Sequence, residues 1–156
     1  MKVINLKSFR LEEIDITKQE HLDMIKEFDN DSSVKQYLYP YKDSFYDLVC
    51  DAIKTDDIFR TFYAIYTENR IIGYMEIGNS KSTNLNSALI KSERNKGYSK
   101  LLLKELSNYL LENYSSVNSV NTIIRKDNKN SISTVESAGL VKTEEDSKFV
   151  TYSSLR

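Results

Sequence analysis

Residues 92–100, which read SERNKGYSK, are the part of the chain whose residue types and spacing best suit chemistry. They stand between a predicted strand and a predicted helix, and a helix N-terminus offers unpaired N–H groups and a positive dipole end to an anion. Gly97 allows the backbone to turn and to approach a ligand closely. The charged residues in and beside the segment are Lys91, Arg94, Lys96 and Lys100, against one carboxylate, Glu93. The segment indicates a diphosphate site, although a solvated basic loop would have the same composition.

The elements that must position this segment are predicted from hydrophobic periodicity. A strand is expected near 85–90, a long helix over about 98–114, and another strand over 120–124. A strand–helix–strand run of this kind places two parallel strands side by side through a right-handed crossover.

The rest of the chain predicts strands near 9–14, 59–67, 71–77, 140–143 and 149–152. A capping box at Thr17 and Glu20 predicts the start of a first helix, and Asp43 is expected to cap a later one. Pro40 is expected to end the short helix between them. A last helix is predicted to begin at Asp127 or Asn128 and to end at Gly139. Strand hairpins mixed with strand–helix–strand units predict an α/β (α+β) fold with helices on both faces of one sheet.

Size and charge limit the classes of function. The chain has 156 residues and a net charge of -1, which predicts a single domain over 1–156 with no nucleic-acid or membrane partner. No apolar run is long enough to cross a bilayer. The single cysteine, Cys50, cannot form an internal disulfide, which favours a cytoplasmic protein and a packing role for the thiol. His21 is expected to be a surface or boundary residue, and no metal site is predicted.

Known phosphate-binding motifs narrow the choice of ligand. The Walker pattern G-x-x-x-x-G-K-[ST] and the dinucleotide pattern G-x-G-x-x-G do not occur in the sequence. A nucleoside-triphosphate or dinucleotide site is therefore disfavoured.

Two motifs resemble the GNAT superfamily of N-acetyltransferases. Arg94-x-x-Gly97-x-Ser99 is similar to the acyl-CoA loop Q/R-x-x-G-x-G/A, with serine in place of the small last residue. Asn128-x-x-Ser131, followed by Gly139-Leu140, is similar to the N-x-x-S/A…G-F helix that follows the family's fifth strand. The two motifs occur in the family's order, and the resemblance is strongest over about 85–143.

The resemblance implies a mixed, largely antiparallel sheet of six or seven strands, in which strands four and five splay around the pantetheine arm of acetyl-CoA. Acetyl-CoA would be the co-substrate, and its acetyl group would pass directly to a primary amine of a small molecule or peptide. Backbone groups of Ala88, Leu89 and Ile90 would bind the pantetheine amides, and Asn128 would contact the cofactor arm. The amides expected to hold the diphosphate are those of Arg94, Asn95, Lys96, Gly97, Tyr98, Ser99 and Lys100.

The residues that would move protons depart from the family pattern. Many members carry a tyrosine acid on the helix after strand five, and this chain has Val135 at that spacing. Ser131, one turn earlier on the same face, is the substitute acid, although a serine there also commonly bonds the backbone. Glu76, in an apolar strand context, is the candidate base, and an outward-facing strand glutamate is the alternative.

Three hypotheses stay open on the sequence. The chain is an active N-acetyltransferase, a catalytically impaired CoA-binding or interaction module of the same fold, or an unrelated α/β domain whose basic loop binds another phosphate. Acceptor specificity in the family comes from segments that correspond here to 18–55 and 141–152. The first of these is acidic, which would steer a cationic amine or simply solvate the helices. A homodimer is compatible with the sequence.

Overall fold

A computed structural model describes residues 2–38, 43–55 and 60–156, and the side chains of 37 and 38 are outside that description. The strands within these ranges are β1 (Val3–Asn5), β2 (Arg10–Glu13), β3 (Arg60–Thr67), β4 (Arg70–Gly78), β5 (Ser82–Leu89), β6 (Ser119–Arg125), β7 (Val141–Glu145) and β8 (Phe149–Leu155). The helices are α1 (Gln19–Asp29), α2 (Ser32–Leu38), α3 (Phe45–Lys54), α4 (Tyr98–Asn113) and α5 (Lys129–Ser137), with a 3₁₀ turn over Lys91–Glu93.

The strands form one mixed sheet in the order β1-β2-β3-β4-β5-β6-β8-β7. Every neighbouring pair is antiparallel except β5 and β6. The predicted fold class is confirmed, but the described parts of the chain hold eight strands rather than six or seven. The extra strand is β1, whose three residues are too few to give a periodic signal. The family's strands four and five therefore correspond to β5 and β6.

The parallel pair splays soon after it begins. Only residues 82–84 of β5 pair with residues 119–121 of β6, although the two strands run on to Leu89 and Arg125. The predicted splay is thus present, and it opens the sheet at the carboxyl ends of both strands.

Two hydrophobic cores lie on opposite faces of the sheet, as predicted. One core packs α4 and α5 against strand residues that include Met75, Leu85 and Val120. The other packs α1, α2 and α3 against strand residues that include Phe62 and Tyr74. We call these the α4 face and the α1 face. Cys50 is buried on α3, as expected for a packing residue.

Several helix ends differ from the sequence prediction because other side chains compete for the same groups. The capping box at Thr17 and Glu20 is wrong, since the Thr17 hydroxyl donates to Asp15 and the Glu20 carboxylate accepts from Tyr66. Ser44, rather than Asp43, caps α3. Asn128 caps α5, and Gly139 follows it at φ 91°, as predicted. Pro40 lies outside the described residues.

His21 is fully buried, which corrects the expectation of a surface or boundary residue. Its Nδ1 accepts the backbone N–H of Asp15 at 2.9 Å, so Nε2 carries the proton and donates to the Tyr66 hydroxyl at 3.0 Å. That hydroxyl donates in turn to Glu20 at 2.7 Å. Burial lowers the pKa of His21, so the ring is a neutral link that ties α1 to β2 and β3.

Candidate active site

A cleft of about 580 Å³ fills the gap that the splayed strands leave. It passes through the sheet, because residues from helices on both faces line it. The α4 face contributes α4 and α5, and the α1 face contributes Ser33 and Val34 of α2. The strand residues on its walls are Met75, Leu85, Asn86, Ser87, Ala88, Leu89, Thr122, Ile123, Ile124, Arg125 and Phe149.

The turn around Gly97 lies at one end of the cleft. Asn95 and Gly97 both have left-handed backbone, at φ 63° and 81°, and Gly97 is the N-cap of α4 with no side chain bonded to the first turn. Since α4 begins with the bond from the Leu101 N–H to the Gly97 carbonyl, the N–H groups of residues 98–100 have no partner within the helix. The turn therefore presents several unclaimed donors to the cleft.

A buried carboxylate holds this turn in place. The Glu93 side chain, 11% exposed, accepts from Arg70 at 2.9 and 3.1 Å and from Lys96 at 3.2 Å. Arg70 also donates to the Tyr98 hydroxyl at 2.9 Å. Hydrogen bonds from Arg70 keep the pKa of Glu93 below its ordinary value, so the carboxylate stays ionised. The turn is thereby tied to the β3–β4 hairpin.

The four cations of the segment are not equally available to a ligand. Lys96 is paired with Glu93, and Arg94 is paired with Asp31. Within the described ranges, Lys91 and Lys100 have no carboxylate partner, and Lys100 lines the cleft. Sequence counting overstates the free charge, because two of the four cations serve the structure.

The edge of β5 offers backbone groups to the cleft, but not those of every predicted residue. Ile90 donates its N–H to the Ile72 carbonyl at 2.8 Å and accepts at its own carbonyl from Glu93 at 2.8 Å. Because backbone direction alternates along an antiparallel strand, Leu89 and Ser87 direct their polar groups towards β6. Ala88 lines the cleft, and Ile90 is not on its wall. Sequence reasoning missed Ser87, which only the pairing register identifies.

Helix α5 forms the opposite wall. Asn128, Ser131 and Val135 all line the cleft, as their spacing predicts. The Asn128 side chain accepts from the Ser131 N–H at 3.4 Å. The Ser131 hydroxyl makes no hydrogen bond to the described residues, so it does not bond the backbone. Val135 is buried and supplies no proton donor.

Glu76 is set apart from the other predicted site residues. It lies on β4 opposite Asn86, which lines the cleft, while Glu76 itself does not. Its side chain is 18% exposed, and one carboxylate oxygen is 3.7 Å from Nη1 of Arg60. Lys96 likewise lies in the turn but off the cleft wall, whereas the other predicted residues from 94 to 100 line it.

A mixed sheet that splits at the one parallel pair among the described strands, with unpaired N–H groups at the mouth of the split, is the arrangement expected of an α/β acyltransferase fold. A family model described as the acetyltransferase (GNAT) family matches residues 22–140. The chain belongs to that family, and the unrelated-domain hypothesis is excluded. A search of curated protein sequences found no match.

Solved structures share the fold at low sequence identity. An acetyltransferase from Agrobacterium tumefaciens has a TM-score of 0.77 at 14% identity, covering 100% of this chain and 95% of the other. RimL, a ribosomal L7/L12 alpha-N-protein acetyltransferase in complex with coenzyme A, has a TM-score of 0.76 at 14% identity, covering 99% and 98%. Spermidine N-acetyltransferase from Vibrio cholerae, in complex with CoA and spermine, has a TM-score of 0.75 at 16% identity, covering 95% of each chain.

Neither a metal-binding cluster nor a membrane-spanning helix occurs among the described residues. No group of three or more histidine, cysteine, aspartate or glutamate side chains there has metal-site geometry. No helix among them is long and apolar enough to span a membrane.

Proposed function

We propose that the protein transfers an acetyl group from acetyl-CoA directly to a primary amine of a small molecule or peptide. The observation that carries the proposal is the turn around Gly97, with its unclaimed N–H groups, beside the open gap between β5 and β6. A diphosphate fits such donors by charge and by geometry. The pantetheine arm would then follow the gap, bonding the backbone of Ser87 and the N–H of Leu89 on one side and Asn128 on the other, since the Leu89 carbonyl already accepts from Arg94.

The cleft supports direct transfer because it opens to both helical layers. A cofactor that enters past α4 and α5 would bring its thioester to the middle of the sheet. An amine that enters past Ser33, Val34 and Phe149 on the α1 face would meet it there. Holding the two reactants in line replaces a bimolecular encounter and removes much of the entropic barrier. The buried Cys50 on α3 is not among the cleft residues, so a covalent cysteine intermediate has no support.

Ser131 and Glu76 are the residues that we propose for proton transfer. Ser131 is proposed to donate a hydrogen bond to the leaving thiolate, and its free hydroxyl on the cleft wall supports that role. A thiol with a pKa of about 8.5 leaves readily, so the donor's contribution is modest. Glu76 is proposed to receive the amine proton through water at Asn86, since it does not reach the cleft itself.

Two measurements test the function. Acetyl-CoA at about 100 times its dissociation constant should stabilise the protein by about 2.7 kcal/mol, which raises the melting temperature by roughly 5–10 °C for a chain of this size. ADP, which carries a diphosphate without pantetheine, is the control and should give a smaller shift. The absence of any shift with acetyl-CoA would refute the cleft assignment.

A thiol-release assay over a panel of amines then separates transfer from binding alone. Release that depends on one class of amine supports the proposed transferase. Stabilisation by acetyl-CoA without release by any amine would instead support the CoA-binding or interaction module, which Val135 in place of a proton donor favours. Ser131→Ala is expected to lower kcat about tenfold or less. Glu76→Gln should remove the acidic limb of the pH–rate profile, and an unchanged profile would exclude Glu76 as the base.

A further inference from the structure

Arg94 occupies the first position of the acyl-CoA loop motif, but its side chain is bonded to residues outside the turn. Its Nη2 donates to Oδ2 of Asp31 at 2.5 Å, and its Nε donates to the Leu89 carbonyl at 3.0 Å. The guanidinium is therefore committed to two partners on other elements. The backbone of Arg94 nevertheless belongs to the turn that lines the cleft.

Asp31 is committed as firmly on its side. Its Oδ1 accepts from the Ser33 N–H at 3.2 Å and from the Ser33 hydroxyl at 2.6 Å, at the start of α2. Its Oδ2 receives Arg94. The Asp31 side chain is 19% exposed and that of Arg94 is 31% exposed, so solvent screens the pair only in part. Burial alone would raise the pKa of Asp31, but the bonds from Ser33 and Arg94 bring it below its ordinary value.

The two residues thus join the parts of the cleft that would hold the two substrates. Arg94 connects the diphosphate turn to the carbonyl of Leu89 at the end of β5, on the pantetheine wall. Asp31 connects the same guanidinium to Ser33 and so to Val34, which line the cleft on the α1 face. No other ion pair between described residues links the α1–α2 segment to the turn.

We propose that the Asp31–Arg94 ion pair is a positioning device that couples acetyl-CoA binding at the turn to the placement of α2, which forms the acceptor wall. This inference rests on the proposed function. When a diphosphate fixes the turn, the Arg94 guanidinium is fixed with it, and Asp31 then holds the first turn of α2 in the orientation that places Ser33 and Val34 at the cleft. Arg94 acts through Asp31 and is not a ligand of the diphosphate by its side chain.

Variants at both ends of the pair test the coupling. Asp31→Asn keeps an N-capping oxygen for α2 but removes the charge that Arg94 meets. Arg94→Gln keeps the backbone of the turn, and Arg94→Lys keeps the charge. Glu145→Gln is the matched control, because Glu145 pairs with Lys126 and Lys142 and none of the three lines the cleft.

Calorimetric titration with CoA comes first, followed by amide hydrogen exchange of residues 32–38 with and without CoA. We expect CoA to slow exchange in α2 in the wild type, in Glu145→Gln and in part in Arg94→Lys, but not in Asp31→Asn or Arg94→Gln. The dissociation constant for CoA should change less than about threefold in Asp31→Asn. With an amine acceptor, Asp31→Asn should raise the acceptor KM about tenfold, which corresponds to about 1.4 kcal/mol, while the acetyl-CoA KM stays nearly constant.

Two outcomes would overturn the inference while leaving the proposed function intact. One is equal CoA-dependent protection of α2 in Asp31→Asn and the wild type. The other is a CoA dissociation constant raised tenfold or more in Arg94→Gln but unchanged in Asp31→Asn, which would make Arg94 a direct diphosphate ligand. Failure of the wild type to bind CoA at all would instead refute the proposed function itself.

Discussion

Gly97→Ala, compared with Gly139→Ala, separates the conformational role of a glycine from a role in cofactor binding. Both glycines have left-handed backbone, at φ 81° and 91°, and at both an added Cβ would meet no heavy atom within 4 Å. The two substitutions therefore carry the same strain and create no clash within the protein. They differ in place, because Gly97 lines the cleft and Gly139 follows α5 away from it.

The expected loss of stability is the same for both variants. A left-handed conformation costs a residue with a Cβ roughly 1–2 kcal/mol, and the lower entropy of the unfolded alanine chain offsets about 0.4–1 kcal/mol of that. The net cost is on the order of 0.5–1.5 kcal/mol. At 2–4 °C per kcal/mol for a domain of this length, each melting temperature should fall by roughly 1–6 °C.

The cofactor measurement should distinguish the two variants. A methyl group at Gly97 occupies open space at the turn where a phosphate oxygen would approach, and each charge-assisted hydrogen bond lost there is worth roughly 1.5–3 kcal/mol. The KM for acetyl-CoA, or the CoA dissociation constant from calorimetry, should therefore rise at least about tenfold in Gly97→Ala. Gly139→Ala should leave both constants unchanged. Equal cofactor affinity in the two variants would show that the backbone at Gly97 does not approach the diphosphate.

Two further predictions concern stability. Burial lowers the folded-state pKa of His21 below its ordinary value of 6.5, so the stability that the neutral ring contributes is complete above about pH 6.5 and is lost as the pH falls towards the lowered pKa. In urea unfolding at several pH values, the free energy of unfolding should therefore decline less steeply with falling pH for His21→Gln than for the wild type. Identical slopes would contradict the buried neutral ring. Ser107 is 2% exposed, and its hydroxyl has no hydrogen-bond partner in the described part of the chain. Ser107→Ala should therefore stabilise the protein through α4 by roughly 0.5–1 kcal/mol. A lower melting temperature in the variant would mean that the hydroxyl does make a hydrogen bond in the folded protein.

The sequence predicts the core of the fold well because strong local signals specify it. Helix α4 begins at Tyr98 as the apolar stripe predicts, and the glycine that ends α5 is at the expected position. The strand–helix–strand run correctly predicts the parallel pair of β5 and β6. Local patterns fail where a distant residue intervenes. Glu20 accepts a hydrogen bond from Tyr66, 46 residues away in the sequence, instead of completing the capping box. His21 is buried by strands that the pattern of its own helix does not reveal.

The candidate site divides in the same way. The proposed cofactor half consists largely of backbone groups, at the Gly97 turn and along the edge of β5. A sequence can predict such groups, because a glycine, a small residue and a strand–helix boundary mark their position. The proposed acceptor half is lined by residues that the fold brings from three separate parts of the chain, Val34, Ile123 and Phe149. No short spacing relates those three residues, so no motif could have joined them. Substitutions that perturb the backbone of the turn should therefore act on acetyl-CoA affinity, whereas side-chain substitutions on the α1 face should act on the acceptor. Among the described ion pairs, Asp31–Arg94 is the one that joins the turn at Gly97 to α2. Asp31→Asn should therefore raise the acceptor KM while leaving the acetyl-CoA KM nearly unchanged.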